Sequence, residues 1–270
     1  MLTGGGLTTW LARLEPRPRA TVRLYCLPYA GGGATSFRSW PATLGDDVDV
    51  VAVRLPGREG RLGEPAEFDA SEVAAAIGAD ADRPFAIYGH SMGARLGFEV
   101  VRLLRERGSP LPVLLAVGGC RAPHLPPDGP LDGLSTLSDE DLAARLAEAG
   151  GIPGPLLAEP ELIALALPAL RADLAWLDSR RYVPSPPLPV PLVAFAGRSD
   201  DRVRASVVAQ WSRHAGAGFN LHLVPGGHFF LNDGLDELGA LMAAELSAAV
   251  RRAAAPQPAD DSTPTGGQRE

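Results

Sequence analysis

The segment Gly89-His90-Ser91-Met92-Gly93 constrains the fold of this chain more than any other stretch. It reads G-x-S-x-G, a pattern that occurs by chance in many chains and gains meaning only from its neighbours. The apolar run 84–88 precedes it like a buried strand, and apolar residues follow it at helical spacing over 94–104. Strand, tight turn and helix are the context of a nucleophile elbow, which predicts that Ser91 is a nucleophile.

The alternation of strand-like and helix-like segments predicts the fold class. Apolar runs typical of buried strands lie near 22–27, 48–53, 85–88, 113–117, 192–196 and 221–224. Helical spacing of apolar residues occurs between them, for example over 69–77, 203–214 and 235–250. Strands that are apolar at nearly every position indicate an α/β fold with a mostly parallel sheet and helices on both faces.

One segment, from about 124 to 187, interrupts this alternation because it has helix signals and no convincing strand. Ser138 opens a predicted helix that ends at Gly150-Gly151. A second helix is predicted from Pro160 to about Trp176. A helical insertion between sheet strands is placed either as a lid over a pocket or as a structural layer.

Periodic apolar residues of this insertion should line the chamber beneath it or pack the lid onto the sheet. They are Leu142, Leu146, Leu162, Leu165 and Trp176. We expect the insertion to belong to a single domain over 1–252. The tail over 253–270, rich in Pro, Gln, Asp, Ser, Thr and Gly, is predicted to be disordered.

Charge and hydropathy exclude several classes of partner. The net charge is −7, which gives no support for nucleic-acid binding. No apolar run reaches the roughly 20 residues that a membrane span needs. The N-terminus lacks the charged and apolar regions of a signal peptide. We therefore expect a cytoplasmic protein that binds neither nucleic acid nor membrane, and we expect a monomer.

The cysteines and histidines give little sign of metal or redox chemistry. Cys26 and Cys120 lie in apolar, strand-like segments typical of buried thiols, with a catalytic cysteine as the alternative. The five histidines are scattered, without the paired spacing of metal ligands. We expect the chain to hold no metal and no cofactor.

A nucleophilic serine needs a base, and the base needs an orienting acid. On this type of fold they follow the serine in the order acid, then histidine. Asp200 follows the strand at 192–196, and His228 follows the last strand after two glycines. Both would lie at carboxyl ends of strands, where catalytic groups gather. We predict Ser91, Asp200 and His228 as a triad, with Asp201 as the alternative acid; Asp200 could instead only cap a helix.

Backbone N–H groups should stabilise the oxyanion of such a reaction. One is expected from Met92, directly after the nucleophile, and one from the glycine-rich loop 28–33 after the first strand. Within that loop Ala30 is the first choice and Tyr29 the second.

Four segments together resemble the type II thioesterases of polyketide and nonribosomal peptide synthesis. They are Leu27-Pro28-Tyr29-Ala30-Gly31-Gly32, Leu55-Pro56-Gly57-Arg58-Glu59, the elbow, and Pro225-Gly226-Gly227-His228-Phe229-Phe230. The resemblance runs in order from about Arg23 to Leu246. Tyr29 departs from it, since the family more often has histidine there, and pocket polarity should differ. We place Tyr29 and Phe229 among the substrate-facing residues.

The resemblance implies an α/β-hydrolase fold and hydrolysis of acyl groups from the phosphopantetheine thiol of acyl or peptidyl carrier proteins. It also implies that the segment 124–187 is the family's lid. A small-ester carboxylesterase or lipase is the alternative enzyme, and a non-catalytic binding module is the alternative of another class. Because carrier proteins are typically acidic, docking would need a local basic patch or an apolar contact. Candidate residues are Arg54, Arg58, Arg61, Arg171, Arg180 and Arg181.

Overall fold

The computed structural model contains a seven-stranded β-sheet. It describes residues 7–126, 129, 132–148 and 160–255. In chain order the strands are β1 (Leu11–Arg13), β2 (Val22–Leu27), β3 (Val48–Val53), β4 (Phe85–His90), β5 (Leu114–Gly118), β6 (Leu192–Gly197) and β7 (Phe219–Val224). Their order across the sheet is β1-β3-β2-β4-β5-β6-β7, and β1 pairs antiparallel with β3 while the others pair in parallel. The expected mostly parallel sheet is confirmed.

Helices cover both faces of this sheet. They are α1 (Leu7–Trp10), α2 (Trp40–Leu44), α3 (Ala70–Asp80), α4 (Met92–Glu106), α5 (Asp139–Glu148), α6 (Pro160–Ser179), α7 (Ala205–Val208), α8 (Phe230–Asp233) and α9 (Leu235–Ala254). Strands β2 to β6 are buried at every position, and successive side chains enter opposite cores. Tyr25 packs in the core under α3 and α4, whereas Leu24 packs in the core under α2 and α9.

One segment differs from the sequence prediction in type. The helix expected over 203–214 is α7 followed by a 3₁₀ helix over Ala209–His214. Near the N-terminus the short α1 leads into β1, which forms the edge of the sheet because Leu11–Arg13 pair with β3. The predicted tail lies outside the described residues from 256 onward.

The described part of the inserted segment is mainly helical, with α5 and α6 as its main elements. Ser138 caps α5: its hydroxyl oxygen accepts the N–H of Asp141 at 3.1 Å. The predicted end of this helix at Gly150-Gly151 lies outside the described residues. Leu142 is fully buried in a separate small core. It packs there with Leu134, Leu167, Leu170 and Leu174.

The expectation of a chamber-lining or packing role is wrong for Leu162, whereas Leu165 lines an open cleft of about 920 Å³ together with Trp176. The exposed fractions of Leu162 and Leu165 are 48% and 51%. A helix turns about 100° per residue, so both lie across α6 from the buried face that carries Leu167 and Leu174. Trp176 is buried, as expected, and stacks on Phe68. The side chain of Leu146 lies outside the described residues.

A buried ion pair ties α6 to the body of the protein. Asp173 is fully buried, and its two oxygens lie 2.6 and 2.7 Å from the guanidinium nitrogens of Arg58. The same carboxylate accepts the N–H of Gly31 at 2.8 Å. Burial raises the pKa of Asp173, and the hydrogen bonds from Arg58 oppose that shift. Arg58 therefore holds α6 against loop 28–33 and is not available for docking.

We expect Asp173→Asn to destabilise the fold strongly, because it leaves the buried Arg58 without its counter-charge. Removing one partner of a buried pair costs about 3–5 kcal/mol. The matched control is Glu106→Gln, which breaks a half-exposed pair with Arg102 and should cost about 1 kcal/mol or less. Urea unfolding of both variants measures the difference. Equal losses of unfolding free energy would show that the pair is not a structural anchor.

Candidate active site

The turn between β4 and α4 holds Ser91 in a backbone conformation that is rare for a residue with a side chain. Its φ is 53° and its ψ is −114°, and such a conformation costs about 1–3 kcal/mol. A Cβ at Gly89 would collide with the carbonyl group of Gly93, and a Cβ at Gly93 would collide with that of Leu27. Glycine is required at both positions, which explains the spacing of the motif.

The structure brings Ser91, His228 and Asp200 into one hydrogen-bonded chain. His228 Nε2 lies 3.2 Å from Ser91 Oγ, and His228 Nδ1 lies 2.9 Å from Asp200 Oδ2. Because a carboxylate only accepts, Nδ1 carries the proton and donates it to Asp200. The lone pair of Nε2 then faces the serine hydroxyl, which is the arrangement that allows His228 to accept its proton. The side chain of Asp201 is exposed.

Asp200 has two structural tasks at once. Its Oδ1 accepts the N–H groups of Arg202 at 3.0 Å and Val203 at 2.9 Å, while its Oδ2 faces His228. Burial opposes ionisation, but the hydrogen bonds from His228 and Val203 outweigh it and lower the pKa of Asp200. The alternative that Asp200 only caps a helix is not met, because Arg204 is the N-cap of α7 while Asp200 binds the preceding turn and His228.

His90 holds the backbone of His228 from the other side. His90 Nε2 lies 2.8 Å from the carbonyl oxygen of His228, so Nε2 is the donor, and Nδ1 accepts from Tyr88 Oη at 3.2 Å. The ring is fully buried and packs edge-on against Phe230. The carbonyl contact could not be predicted, because it joins residues 138 positions apart.

The glycine-rich loop after β2 lies against the elbow. The carbonyl groups of Leu27 and Pro28 contact Gly93. Gly31 donates to Asp173, and Gly32 donates to Tyr29. Among the described residues, the N–H groups of Ala30 and Met92 have no hydrogen-bond partner, so both can donate to a substrate oxygen.

Aromatic rings surround the histidine of this site. Phe229 lies edge-on to His228, with ring centroids 5.2 Å apart, and Tyr29 lies edge-on to Phe229 at 5.1 Å. Tyr29 also meets the ring of His90 at 6.2 Å. These contacts put Tyr29 and Phe229 beside the predicted triad.

The surroundings of the two cysteines disfavour their ionisation to the reactive thiolate. Burial raises the pKa of Cys120 to about 12 and that of Cys26 well above its usual range. Because the thiolate is the nucleophile, this disfavours a catalytic cysteine.

Within the described ranges, no three His, Cys, Asp or Glu side chains are grouped as metal ligands. No helix in that part of the chain has the length and apolarity to span a membrane.

Burial of His90 predicts a pH-dependent stability. Burial, and then the nearby His228, lower the pKa of His90 to about 3. Between that value and the unfolded pKa of about 6.5, the unfolded state binds the extra proton, so stability falls as pH falls. At pH 5 the loss from this group is about 2 kcal/mol. Urea unfolding at pH 7.5 and pH 5 should show a larger loss for the wild type than for His90→Gln, and equal losses would contradict the assignment.

Comparison with known proteins agrees with this geometry. The family model of the thioesterase domain matches residues 22–246. The chain is 37% identical to thioesterase PikA5 of Streptomyces venezuelae, over 85% of this chain and 82% of that protein. The RedJ thioesterase of the prodiginine pathway in Streptomyces coelicolor superposes with a TM-score of 0.78 at 38% identity, covering 86% and 93% of the two chains.

A second solved structure points to the subgroup. The type II thioesterase BorB of the borrelidin cluster has a TM-score of 0.78 and 34% identity, covering 88% of this chain and 98% of BorB. The expected α/β-hydrolase fold is thereby confirmed, as is the expected family. The chain belongs to the thioesterase family, among the type II thioesterases of polyketide and nonribosomal peptide biosynthesis.

Proposed function

We propose that this enzyme hydrolyses acyl groups from the phosphopantetheine thiol of acyl or peptidyl carrier proteins, as an editing activity in polyketide or nonribosomal peptide biosynthesis. The observation that carries the proposal is the hydrogen-bonded chain from Ser91 through His228 to Asp200, in a chain of the thioesterase family. The thioester and the carrier partner follow from the family membership. The proposal includes no cofactor held by the chain, a cytoplasmic location and a monomer.

Acylation starts at the serine. His228 Nε2 takes the hydroxyl proton as Ser91 Oγ bonds to the thioester carbonyl carbon. The oxyanion accepts N–H groups from Met92 and Ala30, with Tyr29 as the second candidate for the loop donor, and lies at the N-terminus of α4. As the intermediate collapses, the C–S bond breaks and His228 gives its proton to the leaving thiol. The acyl group is then an ester of Ser91.

Deacylation repeats these steps with water. His228 takes a proton from water, the oxygen of water bonds to the acyl carbon, and the bond to Ser91 Oγ breaks. The proton returns to the serine, and the free acid leaves. Asp200 stays ionised throughout and stabilises the imidazolium that forms twice in each turnover.

The triad prediction is tested by three substitutions. Ser91→Ala should remove the acyl-enzyme, and Asp200→Asn should lower kcat by about 10⁴-fold because His228 loses its orientation. Asp201→Asn is the matched control, since its side chain is exposed, and it should keep kcat within a few-fold. Steady-state kinetics on folded proteins measures this. A larger loss of kcat in Asp201→Asn than in Asp200→Asn would assign the role of the triad acid to Asp201.

The substrate assignment is tested against a small-ester carboxylesterase. We expect kcat/KM for acyl-loaded carrier protein to exceed that for the matching p-nitrophenyl ester by at least about tenfold, because only the carrier adds binding contacts. A preference for the oxygen ester would favour the esterase. Labelling of Ser91 by a fluorophosphonate would separate both from a non-catalytic binding module, which should not react.

A further inference from the structure

A cleft of about 650 Å³ opens between the loop that follows β5 and the end of α6. Its lining includes Arg95, Arg121, His124, Arg180, Arg181 and Tyr182. Arg95 belongs to α4, Arg121 follows β5, and the last two arginines follow α6. Four guanidinium groups from three separate segments therefore meet at one cavity in a protein whose net charge is −7.

Two chain segments run from the neighbourhood of Ser91 and His228 to the lining of this cleft. Arg95 follows Ser91 by four residues on α4, which is about 6 Å along the helix. On the other wall, Gly119 lies against the ring of His228, since a Cβ added there would be 3.4 Å from its Cε1. Arg121 is only two residues further, or about 7 Å of extended chain. The cleft is thus a short distance from both the nucleophile and the base.

Arginines outnumber carboxylates in the lining of the cleft by four to two, the carboxylates being Asp132 and Asp178. Arg95, Arg180 and Arg181 form no ion pair with any described residue, while many other arginines do, such as Arg23 with Asp49. The guanidinium of Arg180 stacks over the ring of Trp176 at 5.1 Å, a contact that leaves its N–H groups at the edge of the plane.

The acidic side chains that line the cleft are already engaged. Asp178 accepts the N–H groups of Gly133 and Ser135 and the hydroxyl of Ser135. Asp132 accepts the N–H of Gly129 at 2.6 Å.

Two histidines, His124 and His214, lie beside the cleft arginines. His124 Nδ1 lies 2.9 Å from His214 Nε2. Burial, then His124 and the cations Arg213 and Arg95, lower the pKa of His214 to about 4. Burial and Arg213 also lower the pKa of His124. One cleft arginine, Arg95, thus adds to the effect of burial on the pKa of His214.

We propose that this arginine cleft binds the phosphate of the phosphopantetheine arm while its thioester lies at Ser91. The inference rests on the proposed function and extends it to the part of the substrate that carries the charge. Guanidinium groups bind phosphate oxygens in pairs, and these charge-assisted bonds are strong. From sulfur to phosphorus the arm has the length of about four extended residues, or roughly 15 Å, so an arm whose thioester lies at Ser91 is long enough to reach the cleft.

The other arginines considered for docking are engaged elsewhere. Arg58 is buried against Asp173, and Arg61 is buried against Glu64. Arg171 donates to the carbonyl of Ser135 and to Asp139. Only Arg180 and Arg181 of that set line the cleft, and the structure adds Arg95 and Arg121 to them.

The test compares three thioesters of one acyl group: acyl-pantetheine, acyl-4′-phosphopantetheine and acyl-carrier protein. The variants are Arg95→Gln and, at an exposed position, Arg181→Gln. We expect each to lower kcat/KM by roughly tenfold for the two phosphorylated substrates and to leave acyl-pantetheine unchanged. The matched control is Arg252→Gln in the last turn of α9, which removes the same charge from an exposed position and should change none of the three.

The pattern across substrates decides the proposal. A loss confined to the acyl-carrier protein would overturn it and assign the arginines to the carrier's protein surface. Equal losses on all three substrates, or no loss on any, would also overturn it. The ratio of kcat/KM for acyl-4′-phosphopantetheine to kcat/KM for acyl-pantetheine is measured without a carrier protein. It therefore remains decisive even if the wild-type enzyme fails on acyl-carrier protein, a failure that would contradict only the proposed function.

Discussion

The left-handed turn at Ser91 is the constraint on which the site depends. A serine with a φ of 53° stays in place only because the chain on both sides packs without side chains, at Gly89 and Gly93. That packing puts the start of α4 and the loop after β2 in contact. Strain at one residue is thus stabilised by close approach of three backbone segments.

The histidine of the site is held by its neighbours from two directions. Asp200 orients the ring through Nδ1, and His90 fixes the carbonyl of the same residue. Both anchors lie at ends of parallel strands, Asp200 after β6 and His90 in β4, so the sheet sets their separation. Desolvation keeps His90 neutral, whereas Asp200 keeps its charge because backbone N–H groups replace water around it.

Local patterns were enough to predict most of the fold and the three central side chains. The buried strands are apolar at every position, and Ser91, Asp200 and His228 each follow a strand, which places them at one edge of the sheet. Contacts between distant segments were not predictable. Examples are Arg58 with Asp173, and His90 with the carbonyl of His228.

The directions in which the side chains of α6 point could not be predicted from the sequence either. Leu162 and Leu165 match an apolar helix, but only the packed structure shows which face of α6 is covered. The same holds for the arginine cleft, whose residues are spread over three segments. Arginine has no spacing rule that predicts convergence, so charge clusters of this kind become visible only in three dimensions.

The most direct test of the account is the covalent intermediate itself. The wild-type protein is mixed with acyl-loaded carrier protein, and the reaction is quenched within the first turnover. The protein is then digested, and the mass of each peptide is measured by mass spectrometry. The account predicts the acyl mass on the peptide that contains Ser91, appearing with the released carrier thiol and before the free acid. An acyl group on another residue such as Cys120, or hydrolysis with Ser91 unmodified at every quench time, would contradict it.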